Sequence, residues 1–239
     1  MIVTKFLRSL RRRWRILTEA ERVRLDGITI DTRKGHIADD IRALIFREAY
    51  EDTERALIRN ALRPGMRVLE IGAGLGVVSL ILARIAGPGK VLAYEANPTL
   101  EAKIRGNFAL NSSLPELRMK ALTVDGAPVR FFVDGALLSS SVYDRAKGLN
   151  ATMVESDALP AVLADFRPDM LVIDVEGAEV DLLGLPNLDP LAHIIAELHP
   201  HIVGDAAIDG LIAHLARLGF QLAERNRKAA YFRRDLVHV

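Results

Sequence analysis

Residues 67–76 read R-V-L-E-I-G-A-G-L-G, and this stretch narrows the possible folds more than any other part of the chain. Val68, Leu69 and Ile71 form a short apolar run just after a Pro64-Gly65 break, the pattern of a buried parallel strand. Glycine then recurs at Gly72, Gly74 and Gly76, where a missing Cβ lets the backbone turn sharply and approach a ligand. The run V-V-S-L-I-L-A-R-I-A that follows has helical length and stops at Gly87-Pro88. The unit is therefore strand, glycine turn, helix. The free N–H groups of the helix's first turn face the loop and suit a polar or anionic group.

Spacing separates the cofactor classes that use such a loop. A dinucleotide fingerprint requires a third glycine or alanine where this chain has Val77. What stands here is acidic-x-G-x-G-x-G, from Glu70 through Gly76, which resembles motif I of the class I S-adenosylmethionine-dependent methyltransferases.

A chain of 239 residues, half of them hydrophobic, suffices for one sizeable core. A formal net charge of +1 gives no global field toward nucleic acid or an acidic partner. Cysteine is absent, which excludes disulfides, thiolate catalysis and sulfur-ligated metals and fits a reducing compartment. No apolar run has the length of a membrane span, and the N-terminus lacks the order of a signal peptide, so the expected location is cytoplasmic.

Residues 1 to 25 are locally basic, with Lys5, Arg8, Arg11, Arg12, Arg13, Arg15, Arg22 and Arg24 against Glu19 and Glu21. Ile2, Val3, Phe6, Leu7, Leu10, Trp14 and Leu17 recur at helical spacing, so an amphipathic helix is expected there. It would either contact anionic lipid or pack on the domain or another subunit. Residues 1–35 are read as this extension and 36–239 as the main domain.

Ile28–Ile30 alternates as a short strand, and a mostly helical region is expected from Asp39 or Asp40 to Leu62, with Tyr50-Glu51 among solvated charges. Val91–Tyr94 reads as the second strand and runs into Glu95-Ala96-Asn97-Pro98. Glu95 lies about 20 residues past the glycine loop, where a carboxylate accepts hydrogen bonds from both hydroxyls of a ribose. A helix from Pro98 to Leu110, with Asn107 near its end, precedes strands over Leu117–Val124 and Val129–Val133, which flank an Asp125-Gly126 turn. After a Ser139–Ser141 cluster, a helix over Asp157–Phe166 leads to M-L-V-I-D-V-E-G-A-E at 170–179. Asp174 and Glu176 share a face if extension continues that far. Ile194–Leu198 ends in E-L-H-P-H, with Glu197 and His199 again two apart, and the remainder alternates helix and strand.

Alternation over most of the chain predicts a doubly wound α/β sheet, in which ligands lie beyond the carboxyl ends of the strands. Every acidic cluster singled out here falls at such an end. V-L-E-I-G-A-G-L-G, Y-E-A-N-P, the helix end from Asn107 to Asn111 and above all I-D-V-E-G-A-E resemble the FkbM-type methyltransferases. The matching segments run from Tyr50-Glu51 to His199 and include Ser139–Ser141 and Ser156-Asp157. The chain departs from the family pattern with Glu70 for Asp, Gly74 for a frequent Asn, and Val172 where a Lys often precedes the Asp.

The resemblance implies a class I methyltransferase (Rossmann-like) sheet with an N-terminal helical extension. It also implies methyl transfer from S-adenosyl-L-methionine, generally to a hydroxyl of a sugar or natural-product scaffold. A non-catalytic S-adenosylmethionine-binding module of the same fold is the alternative. Glu70, Gly72, Gly74, Gly76, Glu95, Ala96 and Asn97 are the candidate cofactor residues, and Tyr50, Glu51 and Ser140 the candidate acceptor contacts. For catalysis, His199 is the preferred general base, because an ordinary imidazole accepts a proton at neutral pH, with Glu197 or Asp174 orienting it or the acceptor. A divalent metal on Asp174, Glu176 and Glu197 is the rival, and helix capping by Glu176 and Glu179 the structural alternative.

Overall fold

A computed structural model describes residues 2–112, 114–132 and 151–235. The chain opens with α1 (Ile2–Leu17) and the hairpin β1 (Arg22–Leu25)–β2 (Ile28–Asp31), followed by α2 (Asp39–Phe46) and α3 (Asp52–Ala61). Next come β3 (Val68–Ile71), α4 (Val77–Ala86), β4 (Val91–Tyr94), α5 (Glu101–Ala109) and β5 (Glu116–Arg118). Short strands β6 (Ala121–Thr123), β7 (Val129–Phe132), β8 (Ala151–Val154) and β9 (Ser156–Ala158) lie outside the main sheet. The chain closes with α6 (Leu159–Phe166), β10 (Met170–Ile173), α7 (Glu179–Leu183), β11 (His193–Glu197), α8 (Pro200–Val203), α9 (Asp205–Arg217), β12 (Gln221–Asn226) and β13 (Ala229–Arg233).

The seven-stranded sheet has the order β12-β13-β11-β10-β3-β4-β5. Its strands are parallel except β13, which runs against both neighbours. The chain builds outward from β3 in one direction, then returns to β10 on the other side. That reversal opens a crevice at the carboxyl ends of β3, β4 and β10. In register, Ile71 stands level with Tyr94 and Ile173, and Ile173 with Ala196. The next residue of each strand, respectively Gly72, Glu95, Asp174 and Glu197, therefore emerges on one rim.

Successive strand residues point to opposite faces, and the core divides accordingly. Val68, Val172 and Ile195 pack with the hairpin and helices α2 to α5, while Leu69, Ile71, Leu171 and Ile194 pack with α6, α7 and α9. The hairpin contributes Val23, Leu25, Ile28 and Ile30, each at most 3% exposed, to the first of these layers. Among the described residues no helix is long and apolar enough to cross a membrane.

Three local expectations are corrected. The N-terminal helix stops at Leu17 rather than near residue 25, because Asp26-Gly27, both at positive φ, closes the β1–β2 hairpin. The helical region before the glycine loop breaks at Arg47–Glu51, where Glu48 and Glu51 adopt left-handed backbone. Leu117–Val124 divides into β5 and β6, which join different sheets.

Candidate active site

A cavity of about 270 Å³ lies over this rim. One end is made by the turn after β3 and the residues after β4. Glu95, 6% exposed, accepts hydrogen bonds from the Gly74 N–H (2.7 Å) through Oε2 and from the Asn97 N–H (2.7 Å) through Oε1. Burial pushes its pKa up to about 7 against the pull of those backbone N–H groups. Ala96 lines the wall beside it. Asn97, 1% exposed, uses its Oδ1 to accept from the Thr99 N–H and hydroxyl, fixing the turn into α5.

Glu70 sits inside β3 among apolar neighbours, 1% exposed, and neither of its oxygens meets a hydrogen-bond donor. Burial raises its pKa to about 8, which the nearby Ser79 hydroxyl, outside hydrogen-bond geometry, offsets only in part, so it is largely a neutral acid at pH 7.

The three glycines do different work. At Gly72, φ is +92° and a Cβ would lie 1.9 Å from the Asp174 carbonyl oxygen, so only glycine lets the ends of β3 and β10 meet. Gly74 opens onto the cavity, its nearest neighbour the Tyr50 hydroxyl. Gly76 turns away from the cavity. A Cβ there would strike Phe108 at 2.7 Å, so its smallness serves α4–α5 packing.

Carboxylates form the other end. Glu51, Glu54, Asp174 and Glu197 each offer an oxygen, and these oxygens all lie within 4.8 Å of one another. Glu51 is carried there by the left-handed break that buries Tyr50, so the pair belongs to the cavity wall and not to a solvated helix face. Burial, then mutual repulsion, lifts Glu51 and Asp174 well above the usual carboxylate range. Glu54, on the first turn of α3 and 3% exposed, is raised to about 7 by burial and its contact with Glu197. Burial also works against the Glu197 charge, but His199, Glu54 and Lys228 overcome it and hold Glu197 near 2. Glu54 carries no sequence signal. It stands three residues past Glu51, one helical turn away, and only the break before α3 turns both toward the rim.

His199 does not line the cavity. It is 1% exposed and lies behind the carboxylates rather than on the cavity wall. Its Nδ1 lies 3.1 Å from Glu179 Oε1, and its Nε2 faces Asp174 (3.6 Å), Glu176 (3.7 Å) and Glu197 (3.6 Å). Burial opposes its charge, yet Glu179, Glu197 and Asp174 raise its pKa to about 10. An imidazolium at neutral pH has no free lone pair for a substrate proton. These surroundings suit a buried counter-cation better than a base. Glu176 has φ +52°, so extension ends at Val175, and its approach to His199 comes from that kink rather than from strand alternation. Glu179, not Glu176, accepts the Gly177 N–H (2.7 Å) at the turn into α7. Ser140, with the rest of Ser139–Ser141, lies outside the described residues.

The family model of the methyltransferase FkbM domain matches residues 70–222, well over half the chain and all of the rim from Glu70 to His199. The chain belongs to the FkbM methyltransferase family. Its fold is that of the class I S-adenosylmethionine-dependent methyltransferases, and its cofactor is S-adenosylmethionine. Among solved structures, a methyltransferase from Pyrococcus furiosus is 15% identical over 98% of this chain and 99% of that one, with a TM-score of 0.50. The ribosomal protein L11 methylase of Lactobacillus delbrueckii subsp. bulgaricus is 18% identical, covering 76% and 77% of the two chains at a TM-score of 0.44. A magnesium protoporphyrin IX methyltransferase from Synechocystis PCC 6803 is 14% identical over 75% of each chain at 0.43. No curated protein matches the sequence.

The residues present fit this cofactor. Gly74 leaves the cavity wall without a side chain, Glu95 offers buried carboxylate oxygens for a diol, and the Glu70 oxygens stand without a donor.

Proposed function

We propose that this FkbM-family chain is an O-methyltransferase acting on a hydroxyl of a sugar or natural-product acceptor, with the carboxylate end of the cavity receiving the hydroxyl proton. Glu95, Ala96, Asn97 and the Gly72–Gly74 turn hold the cofactor at one end, and Tyr50, Glu51 and Glu54 face the acceptor at the other. S-adenosylmethionine, when bound, supplies a methyl group on a sulfonium centre that needs no further activation. The chain's remaining task is to align an oxygen and take its proton, and alignment by itself supplies roughly 7 to 11 kcal/mol at best.

The observation that carries this reading is Glu54. It is buried on the cavity wall with Oε1 unpartnered, and its pKa of about 7 matches a base at neutral pH. In the proposed step a new C–O bond forms as the C–S bond breaks, the hydroxyl proton passes to Glu54, and Glu197 stays ionised to orient the donor. His199 is the counter-charge of Glu197 and also lies within 3.7 Å of Asp174 and Glu176.

Labelled S-adenosylmethionine with a panel of hydroxylated acceptors tests it. Transfer that falls at least about a hundredfold in Glu54→Gln, with cofactor affinity retained and no loss in EDTA, supports the carboxylate base. Loss in EDTA restored by Mg²⁺ would instead assign the clustered oxygens to a metal. Cofactor binding without transfer to any acceptor would leave the non-catalytic binding module.

A further inference from the structure

We propose that α1 is a membrane-surface docking helix that seats the protein on anionic lipid, a role separate from methyl transfer. The helix uses two different faces. Arg8, Arg11 and Arg15, spaced i, i+3 and i+7, all reach the single carboxylate of Glu48, at 3.3, 3.5 and 3.2 Å. Arg15, only 8% exposed, also donates to the Phe46 carbonyl at 2.9 Å and locks the helix to the end of α2. Glu48 can hold out its carboxylate there because the chain breaks at Arg47–Glu51 with left-handed backbone at Glu48.

The helix is therefore attached through arginines, and its apolar stripe points elsewhere. Leu10, Trp14 and Leu17, spaced i, i+4 and i+7, are 46%, 63% and 85% exposed. At 3.6 residues per turn, Arg11 edges this stripe on one side and Arg13 on the other, and Arg11, Arg12 and Arg13 are all exposed. An amphipathic helix in water ordinarily turns its apolar stripe to the core and its charges to solvent. Here the polarity is reversed.

Charge complementarity selects the occupant. Residues 2–17 contain five arginines, one lysine and no acid. In a symmetric contact between two copies these arginines would face one another and repel. A bilayer with anionic headgroups accepts a Trp/Leu stripe at the acyl boundary and places phosphates and carboxylates opposite the flanking arginines. Glu48 lies just before Tyr50 of the cavity wall, so docking through α1 brings the catalytic domain itself to the membrane surface.

Trp14 is the only tryptophan of the chain, so intrinsic emission reports directly on this face. With the full-length protein, vesicles containing about a third phosphatidylserine should shift the emission to shorter wavelength and pull the protein into the vesicle pellet, and phosphatidylcholine vesicles should do neither. Pelleting should fall severalfold in Arg13→Glu, and roughly tenfold or more in Leu10→Gln/Trp14→Gln/Leu17→Gln and at high salt. Cofactor affinity, unchanged in both variants, verifies that they are folded. Unshifted emission with anionic vesicles would overturn the proposal. So would a shift that appears without vesicles and grows with protein concentration, the sign of a second copy on the stripe.

Discussion

His199 Nδ1 and Glu179 Oε1 lie 3.1 Å apart with both side chains sealed from solvent, at 1% and 0% exposure. The same carboxylate accepts the His199 backbone N–H at 3.0 Å and, through its other oxygen, the Gly177 N–H. One buried acid thus ties the turn after β10 to the end of β11. Glu179→Gln removes the carboxylate closest to the buried imidazole and should cost about 3 kcal/mol in urea unfolding at pH 7. A loss within the range of surface substitutions would contradict this account.

The same pair has a pH signature. The pKa of His199 is raised in the folded state to about 10 from an ordinary 6.5, so its contribution is complete below pH 6.5 and is lost as pH rises toward 10. Over that window the wild type should lose stability with a slope of up to about 1.4 kcal/mol per pH unit that is absent from His199→Gln. Denaturation midpoints measured between those limits in both proteins give the difference directly, and parallel curves would remove His199 as the buried cation.

Asn107 acts as a strand edge made from a side chain. It accepts the Asp31 N–H (2.8 Å) and donates to the Leu75 carbonyl (2.9 Å), joining the hairpin to the glycine turn, while Asn111 exchanges two hydrogen bonds with Thr29. Asn107→Ala leaves two buried backbone groups unpaired and should destabilise by about 1–3 kcal/mol. Amide exchange at Asp31, measured by NMR, should speed up in the variant; unchanged protection there would count against the link.

Gly72 and Gly74 should separate folding from binding. Gly72→Ala places a methyl group against the Asp174 carbonyl and should prevent accumulation of folded protein. Gly74→Ala has no such clash, so it should fold at a cost of roughly 1–2 kcal/mol for left-handed backbone and lose cofactor affinity instead. Thermal melts paired with calorimetric titration would expose a reversal of these two outcomes.

Glu95→Ala should weaken S-adenosylmethionine roughly ten- to a hundredfold, the worth of a charge-assisted pair of hydrogen bonds. Because burial raises Glu95 to about 7, the wild type should bind more tightly as pH rises through 7, when the carboxylate ionises and accepts better. The dependence should vanish in Glu95→Ala. An unchanged dissociation constant in the folded variant would sink the assignment.

What sequence determined and what structure decided divide along the range of the forces involved. Apolar runs, glycine turns and acidic strand ends are local signals, and they placed β3, β4, β10 and β11, the family and the rim residues Gly72, Glu95, Asp174 and Glu197. Asp26-Gly27 was equally local, a hairpin turn legible in two residues that the basic composition around it obscured. Protonation and facing were not local. Four acids from two separate rim segments surround His199 and favour its charged form, burial and Glu197 of β11 make Glu54 a base candidate, and Gly76 leaves room for Phe108. Residue type sets an ordinary pKa and an ordinary preference for water. Burial and neighbours brought from distant parts of the chain shift both, and only the folded arrangement specifies those neighbours.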